Sequence, residues 1–483
     1  MDDGRILIPG DTCWREARAD KFACIVDAAD YFRHVKTAML RARHRIILVG
    51  WDLDARMTFE RGEKTLPGPN QLGAFLYWLL WKRPALEAYL LKSNLRLLPA
   101  FDGLWFGLTP VSVVNQISNK RMHFAIDGAR PTGAVHHQKI AVIDDAVAFC
   151  GGLDLTVDRW DTRAHEHGSR NRRTVGRGYG PRHEVGAAVD GEAAGALAEQ
   201  ARQRWETATG RSLGPIDARH VPWPSKLAPS LRGVDVAIAR TLPELNDRDE
   251  VREVEALNLA AIASARHTIY LENQYLAARR IVDALADRLR EDDGPEVVIV
   301  IPRRGSNRLE QATMDGARHR LIQVLWEADE HGRLGIYYPV TDGGAAIYVH
   351  SKVMTIDDRL LRIGSSNLNN RSMGFDSECD IAIEAELGGP DHDEIRAEIV
   401  NIRNQLVAEH LGVPAHELDG FGSLLAAVED LRGDGRTLKP FTRHTVAGEA
   451  SSLAENDLMD PDHVPHSLGR SVQRFIGGLW PPR

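Results

Sequence analysis

One spaced pattern occurs twice in this chain of 483 residues. The segment from His137 to Asp145 reads HQKIAVIDD, and the segment from His350 to Asp358 reads HSKVMTIDD. Both copies keep His-x-Lys followed by four residues and Asp, and the offset from position 137 to position 350 is 213. Side chains two positions apart on a strand point to the same face, so each His is expected beside its Lys. The duplication predicts a chain built from two similar halves.

Strand-like and helix-like segments alternate along both halves in the same order, which is typical of the α/β class. We predict two similar α-β-α lobes that form a pseudo-dimer within one chain, with the active site at the lobe interface. The predicted lobes span residues 1–209 and 235–411, residues 210–234 form a linker, and residues 412–483 form a C-terminal extension that packs on the lobes. Within the first lobe, residues 71–92 are predicted as one helix and residues 94–101 as a strand.

Composition narrows the class of protein. With 43% hydrophobic and 27% charged residues the chain is of ordinary globular type, and its net charge of −8 gives no basic field to hold nucleic acid. A nucleic-acid partner is therefore not expected. The four cysteines include no CxxC pair, which excludes a disulfide framework and a cysteine-based zinc site.

The chain begins with an acidic segment and no apolar signal-type core, so we expect no signal peptide. The longest apolar run, from Leu72 to Trp81, is shorter than the roughly 20 residues needed to cross a bilayer. This run is interpreted as a buried helix, with insertion at a lipid interface as the alternative. The default location is cytoplasmic or peripheral to a membrane, and secretion by a route that needs no signal peptide stays open. The oligomeric state is not predicted.

Two histidines and two lysines suit the chemistry of a phosphodiester. One neutral imidazole can attack phosphorus, and a second, protonated imidazole can give its proton to the leaving alkoxide. Lys139 and Lys352 would supply positive charge to the phosphate oxygens, and small polar residues after the glycine turns at Gly151 and Gly364 would add hydrogen-bond donors. The sequence therefore indicates a covalent phosphohistidine mechanism.

Carboxylates in and after the motifs are expected to position these groups. Glu184 and Glu378 each begin the strand that follows a motif, and each is predicted to accept from the far ring nitrogen of its own lobe's histidine. Asp144 and Asp357 are interpreted as bracing residues that bind backbone or hydroxyl groups rather than substrate.

Several further patches resemble the phospholipase D superfamily, and within it bacterial proteins similar to the eukaryotic catalytic core. The patches are YVHSK (348–352), GSSNLNNRSM (364–373), DSE (376–378), GGLDL (151–155), RWD (159–161) and YLENQY (270–275). The similarity runs from about residue 45 to about residue 410. One departure is Arg182-His183-Glu184, where the superfamily usually has Trp before the His and Asp after it.

The resemblance implies hydrolysis of glycerophospholipids to phosphatidate, with transfer to alcohols as a side activity and no cofactor. It also implies that His137 is the nucleophile and His350 the general acid. The implied substrate-binding residues are Gly152, Asp154, Asp161, Ser365, Asn367 and Asn369. The implied partner is a phospholipid bilayer or micelle surface. A cardiolipin-synthase-like phosphatidyltransferase is the alternative function, whereas a nuclease and a catalytically decayed scaffold are disfavoured.

The segment from Arg163 to Arg182 carries six arginines against one glutamate, and we interpret it as a lid or surface contact for anionic head groups. A solvated charged loop is the alternative. Its His165-Glu166-His167 lacks the i, i+4 spacing of a helical zinc pair, so a surface loop is expected there. We find no other His, Cys or carboxylate set with metal-ligand spacing beside the motifs, and no metal is expected.

Overall fold

The computed structural model describes residues 4–93, 104–105, 109–110, 120–174, 176–217, 219–245, 248–305, 316–385, 391–446 and 460. Within these residues, no helix combines the length and the apolar character that a bilayer span requires.

Helices and strands alternate along the described chain. The strands are β1 Arg15–Val26, β2 Arg45–Gly50, β3 Glu87–Ser93, β4 Leu104–Trp105, β5 Thr109–Pro110, β6 Met122–Asp127, β7 Ile140–Ile143, β8 Val147–Gly151, β9 Arg173–Thr174, β10 Arg177–Gly178, β11 Arg182–His183, β12 Val185–Asp190, β13 Leu231–Leu242, β14 Val251–Arg252, β15 Thr268–Glu272, β16 Glu296–Val300, β17 Leu334–Val340, β18 Tyr348–Val349, β19 Val353–Ile356, β20 Leu360–Gly364, β21 Glu378–Glu384 and β22 Thr437–Pro440. The helices are α1 Ala28–Arg41, α2 Leu72–Lys82, α3 Gly191–Thr209, α4 Glu253–Ser264, α5 Arg279–Arg290, α6 Gly316–Ala328, α7 His392–Leu411, α8 Leu424–Leu431 and α9 Arg443–Val446. A π-helical turn covers Arg371–Phe375 and a 3₁₀ turn covers Ala415–Leu418.

The large sheet has the same strand order on both sides of its centre. Its order is β22-β17-β16-β15-β19-β20-β21-β13-β1-β12-β8-β7-β2-β3-β6, with β14 paired to β13. Outward from the antiparallel central pair β1–β13, the first half runs β12, β8, β7, β2, β3, β6 and the second half runs β21, β20, β19, β15, β16, β17. Corresponding neighbours also share their direction: β2–β3 and β15–β16 are parallel, whereas β2–β7 and β15–β19 are antiparallel. The predicted α/β class is confirmed.

Helices cover both faces of this sheet. Helices α3 and α7 pack on one face in a core that extends over both halves. On the other face, α1 and α2 cover the first half and α4, α5 and α6 cover the second. The strand EVVIV of β16 shows why the sheet lies inside, since four of its five residues are apolar and buried, as is usual for a strand covered on both faces.

The two halves also fold against each other. Strands β8 and β12 of the first half pack on β20 and β21 of the second, and Cys150 Sγ lies 3.8 Å from Cys379 Sγ at this contact. The short strands β11 and β18 pair in parallel across the halves, and an isolated parallel bridge joins His136 to Ser377. These two bridges place the segments after β8 and β20 next to the opposite motif.

The predicted helix and the predicted linker have different boundaries in the structure. The predicted helix over residues 71–92 is wrong beyond residue 82: Pro84 disfavours the helical conformation at Arg83, which is extended, and the chain continues as β3. The predicted strand over 94–101 lies outside the described residues. The predicted linker end at residue 234 lies inside β13.

In the C-terminal extension, β22 pairs with β17, and Asp460 accepts from the backbone N–H groups of Asn370 and Arg371. Residues 447–459 and 461–483 lie outside the description.

The apolar run after Gln71 forms α2, which buries Leu72, Phe75, Leu76, Leu79 and Leu80. Trp81 at its end is 71% exposed. The run is therefore a largely buried helix with two exposed aromatic residues, Tyr77 and Trp81, and the preferred interpretation is confirmed.

Candidate active site

The two motif histidines bind carboxylates of the opposite half. His137 Nδ1 lies 3.1 Å from both carboxylate oxygens of Glu378, and His350 Nδ1 lies 2.8 Å from Glu184 Oε2. The predicted pairing of each histidine with the glutamate of its own lobe is therefore wrong. Each half supplies one imidazole and the carboxylate that orients the other imidazole.

Backbone bonds between the halves cause this exchange. The N–H of His137 donates to the carbonyl of Ser377, and the N–H of His350 donates to the carbonyl of His183, both at 2.8 Å. Ser377 and His183 each precede an orienting glutamate in the sequence. The bridges therefore put each histidine beside the carboxylate of the other half, whereas the sequence order of one lobe carries no information about them.

The two orienting carboxylates have different surroundings, although both are fully buried. Glu378 accepts from the hydroxyls of Ser365 at 2.5 Å and Ser372 at 2.6 Å. Burial raises its pKa to about 8, although Lys139 and the two hydroxyl donors act in the opposite direction. Glu184 instead has Arg182 3.5 Å from its second oxygen. The carboxylate that orients His137 therefore lies beside two hydroxyls, whereas the carboxylate that orients His350 lies beside a guanidinium.

Each motif lysine is fixed by its own motif. Lys139 Nζ donates to the carbonyl of the motif histidine at 2.8 Å and lies 3.3 Å from Asp154 Oδ2. Lys352 Nζ donates to the carbonyl of its motif histidine at 2.7 Å and to Gln274 Oε1 at 3.1 Å. Burial lowers the pKa of Lys352 well below its usual range. An anion beside this amine would raise that pKa again.

Both catalytic candidates have lowered basicity. Burial and the two motif lysines hold the pKa of His137 well below its usual range. Burial, the motif lysines, Arg159 and Arg182 do the same for the pKa of His350. Because each lysine acts on both rings, the two motifs form one electrostatic unit. A bound anion would offset this positive field and favour protonation of a ring.

Gly152 and Asp154 lie directly against the motif groups. A Cβ on Gly152 would meet the His350 carbonyl oxygen at 3.0 Å and Lys352 Cδ at 3.4 Å, so the position has little room for a side chain. Asp154 accepts from the backbone N–H groups of Trp51 and Asp52 at 2.9 and 3.1 Å while its other oxygen faces Lys139. The structure thus places Asp154 beside that lysine, and its contact with substrate stays a prediction.

Two of the predicted substrate-binding residues after β20 form hydrogen bonds within the protein, and the third has an amide oxygen that forms none with the described residues. Ser365 is bound to Glu378, and Asn369 accepts from the backbone N–H of Ser372 at 3.2 Å. Asn367 Oδ1 is buried and makes no hydrogen bond with the described residues. The structure thus gives Ser365 and Asn369 local structural bonds, and it leaves the Asn367 amide oxygen available.

The motif aspartates bind backbone at the far end of the motif strands. Asp144 and Asp357 both have positive φ, 54° and 53°, and each accepts three backbone N–H groups at 2.7 to 2.9 Å. The donors are Arg43, His44 and Arg45 for the first aspartate and Arg266, His267 and Thr268 for the second. These contacts clamp each motif strand to the start of its neighbouring strand.

Replacing Asp144 or Asp357 with asparagine is expected to lower the free energy of unfolding by about 1–3 kcal/mol, since an amide cannot satisfy the same three donors. Chemical denaturation measures this loss. The matched control is Asp358→Asn, whose partly exposed pair with Arg396 should contribute no more than about 1 kcal/mol. A variant that lost catalysis at wild-type stability would contradict the bracing role.

Asp161 does not fit its expected role as a substrate contact. It is 1% exposed, and its oxygens accept from His165 Nδ1 at 3.1 Å, Arg172 at 2.9 Å and the backbone N–H of Arg182 at 2.9 Å. The expectation is wrong because this carboxylate is occupied in anchoring the following loop.

The arginine-rich segment is also more firmly held than expected. His165 is buried, so the predicted surface loop is wrong at this residue. Arg172 is buried against Asp161, and Arg163 pairs with Glu409. Arg170, Arg173 and Arg177 are exposed. Arg163 is exposed as well but is paired with Glu409, so Arg170, Arg173 and Arg177 are the candidates for a surface contact.

The sequence of this chain is similar to those of phospholipases D and PLD-like proteins. Residues 259–402 match the family described as "Cardiolipin synthase, PLD-like domain". Phospholipase D A of Dictyostelium discoideum is 23% identical over 80% of this chain, and phospholipase D alpha 4 of Arabidopsis thaliana is 24% identical over 74%. These matches support the resemblance to the phospholipase D superfamily. It spans 35% and 60% of the length of these two relatives.

A solved phosphatidylserine synthase has a similar fold. The phosphatidylserine synthase of Haemophilus influenzae Rd KW20 superimposes with a TM-score of 0.52 at 13% identity, covering 81% of this chain and 88% of that one. This likeness concerns the fold alone.

Two side chains beside the motifs, Gln274 and Tyr348, were not assigned a role from the sequence, and Arg182 was expected only in the lid or surface contact. Gln274 accepts from Lys352 and donates to the Tyr348 hydroxyl at 2.9 Å. The guanidinium of Arg182 lies 4.7 Å from the centre of the Tyr348 ring. Gln274 and Tyr348 stand inside the patches that carry the resemblance, which was the available signal. Their spatial contact with the motif groups could be found only from the fold.

Proposed function

We propose that this protein is a phospholipase D that cleaves glycerophospholipids to phosphatidate and a free head-group alcohol. The observation that carries the proposal is the exchange of carboxylates: two imidazoles and two lysines, drawn from both halves, meet in one buried site. This arrangement supplies a nucleophile, an acid and positive charge for a single phosphodiester.

In the first step, His137 Nε2 attacks phosphorus. In its ionised form, which Lys139 and its two hydroxyl donors favour, Glu378 accepts a hydrogen bond from the Nδ1–H of that ring, and the Nε2 lone pair is left for the attack. The bond from phosphorus to the head-group oxygen breaks, and His350 gives its Nε2 proton to this oxygen. Lys139 and Lys352 stabilise the negative charge on the non-bridging oxygens.

In the second step, a water molecule attacks phosphorus and the phosphorus–nitrogen bond breaks. His350, now neutral, takes the proton of the water, and phosphatidate leaves. An alcohol in place of water gives a phosphatidyl-alcohol by the same bond changes. Transphosphatidylation therefore follows from the mechanism as a side activity, without further groups.

The lowered basicity of both rings supports a protonation cycle that depends on substrate. The pKa of each histidine lies well below its usual range, so both rings are neutral in the free protein at neutral pH. A phosphodiester anion between the lysines and arginines would reduce the local positive charge and favour a proton on the acid ring. A neutral nucleophile and a charged acid can then coexist in the complex.

Incubation with a mixed phospholipid extract, with and without ethanol, tests the proposal. Mass spectrometry should find phosphatidate without ethanol and phosphatidylethanol with it. The His137→Ala protein, prepared in parallel, controls for contaminating lipases. An absence of both products would overturn the proposal, and cleavage of an oligonucleotide with no lipid product would indicate a nuclease.

A phosphatidyltransferase of the cardiolipin-synthase kind is the second candidate, because the family matched by residues 259–402 is described by that activity. In this reaction the alcohol acceptor is itself a phospholipid. Phosphatidylglycerol as the sole lipid distinguishes the two functions. A product with two phosphatidyl groups as the main species would favour the transferase, and phosphatidate would favour the phospholipase.

A lipid surface is the proposed partner, and Arg170, Arg173 and Arg177 are its proposed contacts. Replacing all three with glutamine is expected to weaken binding to anionic vesicles, at about 1 kcal/mol for each arginine, and to flatten the salt dependence. Vesicle co-sedimentation at several salt concentrations measures both. Turnover of a short-chain soluble substrate should stay unchanged.

A matched triple variant at Arg41, Arg43 and Arg266 controls for the loss of three charges. These exposed residues lie near the motif aspartates, at the end of the motif strands away from the histidines. Equal binding loss in both triple variants would contradict a local lipid contact.

A further inference from the structure

Four buried side chains converge behind Glu184. His183 Nδ1 lies 3.0 Å from Glu409 Oε1 and 3.6 Å from Asp27 Oδ1. His165 Nε2 lies 3.3 Å from Glu409 Oε1 and 3.5 Å from Asp27 Oδ2. All four residues are buried, and one ligand atom from each lies within 4.8 Å of the others. Three come from the first half of the chain and Glu409 comes from the second.

The spacing matches the size of a tetrahedral zinc shell. Zn²⁺ binds imidazole nitrogen and carboxylate oxygen at about 2.0–2.1 Å, so neighbouring ligand atoms of a tetrahedron lie about 3.3–3.4 Å apart. The four measured nitrogen–oxygen distances, from 3.0 to 3.6 Å, are of this size, with the two to Asp27 ending on different oxygens, Oδ1 for His183 and Oδ2 for His165. Two nitrogens and two oxygens are also a donor set that zinc accepts.

The outer nitrogens of both imidazoles already have carboxylate partners. His165 Nδ1 lies 3.1 Å from Asp161 Oδ2, and His183 Nε2 lies 2.9 Å from Glu272 Oε2. Metal-binding histidines usually donate their second N–H to such a group, which fixes the tautomer. With the proton on the outer nitrogen, the lone pair of each ring points toward the other two ligands.

Two polar atoms that face this centre lack a hydrogen bond. His165 Nε2 and Asp27 Oδ2 make none with the described residues, and both residues are 1% exposed. An unsatisfied buried carboxylate oxygen is costly, so a missing cationic group is a direct explanation. By contrast, the adjacent Glu272 also accepts from Ser351, Tyr270 and His410, and its oxygens are fully used.

The charges of the cluster leave room for one divalent cation. The cluster and its outer partners contain four carboxylates, which are Asp27, Asp161, Glu272 and Glu409. Two arginines pair with them, Arg163 with Glu409 and Arg172 with Asp161. With neutral imidazoles, two negative charges remain, and one divalent ion balances them. Two protons on the imidazoles would balance the same charge, and the test below separates these states.

We propose that Asp27, His165, His183 and Glu409 bind one Zn²⁺ ion that holds the two halves together beside the active site. Asp27 Oδ1 accepts from the backbone N–H of Glu184 at 3.0 Å, and the carbonyl of His183 accepts from the backbone N–H of His350 at 2.8 Å. The ion therefore fixes the backbone that carries one orienting carboxylate and one catalytic imidazole. It lies behind these groups and acts as a structural ion.

The sequence spacing could not reveal this site. Its ligands come from the end of β1, from the loop before β9, from β11 and from the end of α7. The expectation that no histidine and carboxylate set accompanies the motifs is wrong, because the fold assembles one from four separate segments. His167, which forms the HxH pattern with His165, instead contacts Thr341.

Metal analysis of the purified full chain tests the proposal. Inductively coupled plasma mass spectrometry should find about one zinc per chain after dialysis against metal-free buffer. The His165→Asn variant should retain less than about a tenth of an equivalent, since a ligand is lost. The matched control His167→Asn changes the neighbouring histidine of the same loop and should keep the full equivalent. Zinc content that is equal in both variants, or absent from wild type and not taken up on refolding with zinc, would overturn the proposal.

A spectroscopic arm covers the case in which His165→Asn fails to fold. Wild-type chain refolded with Co²⁺ should show the intense visible bands of tetrahedral cobalt, and zinc should displace them. Refolding without metal should give a lower melting temperature that zinc restores. A melting temperature that is independent of zinc, with no tetrahedral cobalt spectrum, would show that two protons occupy the cluster. These readouts do not require activity, so they fail or succeed independently of the proposed function.

Discussion

Replacing His137 or His350 with alanine is expected to reduce phosphodiester cleavage by at least about 10⁴-fold. Each ring has a role that the other cannot take, because each is fixed by a different carboxylate of the opposite half. Removal of one member of such a cooperating set costs nearly the whole rate enhancement. The rate of head-group release from a soluble short-chain phospholipid measures the effect.

The matched control is His331→Ala, which removes a partly exposed imidazole elsewhere in the second half. It should have the wild-type rate. If either motif variant kept more than about a tenth of the wild-type rate, a barrier change below roughly 1.4 kcal/mol, the two-histidine mechanism would be wrong.

Chemical trapping assigns the two roles. Protein quenched in acid during turnover of a phosphorus-labelled substrate should carry the label on His137. A label on His350 would reverse the assignment of nucleophile and acid. It would leave the two-histidine mechanism in place.

The exchanged carboxylates give the second large effect. Glu184→Gln and Glu378→Gln are each expected to lower the rate by about 10²- to 10⁴-fold, because an amide can present its NH₂ to Nδ1 and stabilise the wrong tautomer. Glu192→Gln changes an exposed carboxylate on α3 and is the matched control.

Nuclear magnetic resonance of histidine-labelled protein shows which ring each glutamate serves. Glu378→Gln should change the ring-nitrogen signals of His137 and leave those of His350 close to wild type. Glu184→Gln should do the reverse. Signals that respond within one half of the chain would contradict the exchanged pairing.

Much of the fold and site could be predicted because the information is local. The duplicated His-x-Lys pattern fixes the motif positions, and the alternation of buried strands and amphipathic helices predicts the α/β class. Local rules also explain the error in the helix predicted over residues 71–92. Pro84 disfavours a helix at the preceding residue, and the prediction followed the apolar run and overlooked this proline.

The errors at the site have two physical origins. The partner of His137 and the burial of His165 depend on contacts between segments that are far apart in sequence. Asp161 instead accepts from residues 4, 11 and 21 positions further along, in an irregular loop whose path periodicity does not describe. From the sequence, a carboxylate near a motif can be assigned to substrate. Only the fold shows which protein groups already donate hydrogen bonds to it. Periodicity identifies which face of a helix or strand is buried. It does not identify the helix or strand that packs against that face.

Because each histidine is oriented by a carboxylate of the other half, the geometry of the site depends on the distance between the halves. The two contacts, 3.1 Å at His137 and 2.8 Å at His350, both cross the same boundary. A separation of about 1 Å would take both beyond hydrogen-bond range at once. Nucleophile and acid would then lose their orientation together, so the half-reactions cannot be disabled one at a time by movement of the halves. At the proposed site, catalysis would therefore be lost in one step if the halves moved apart.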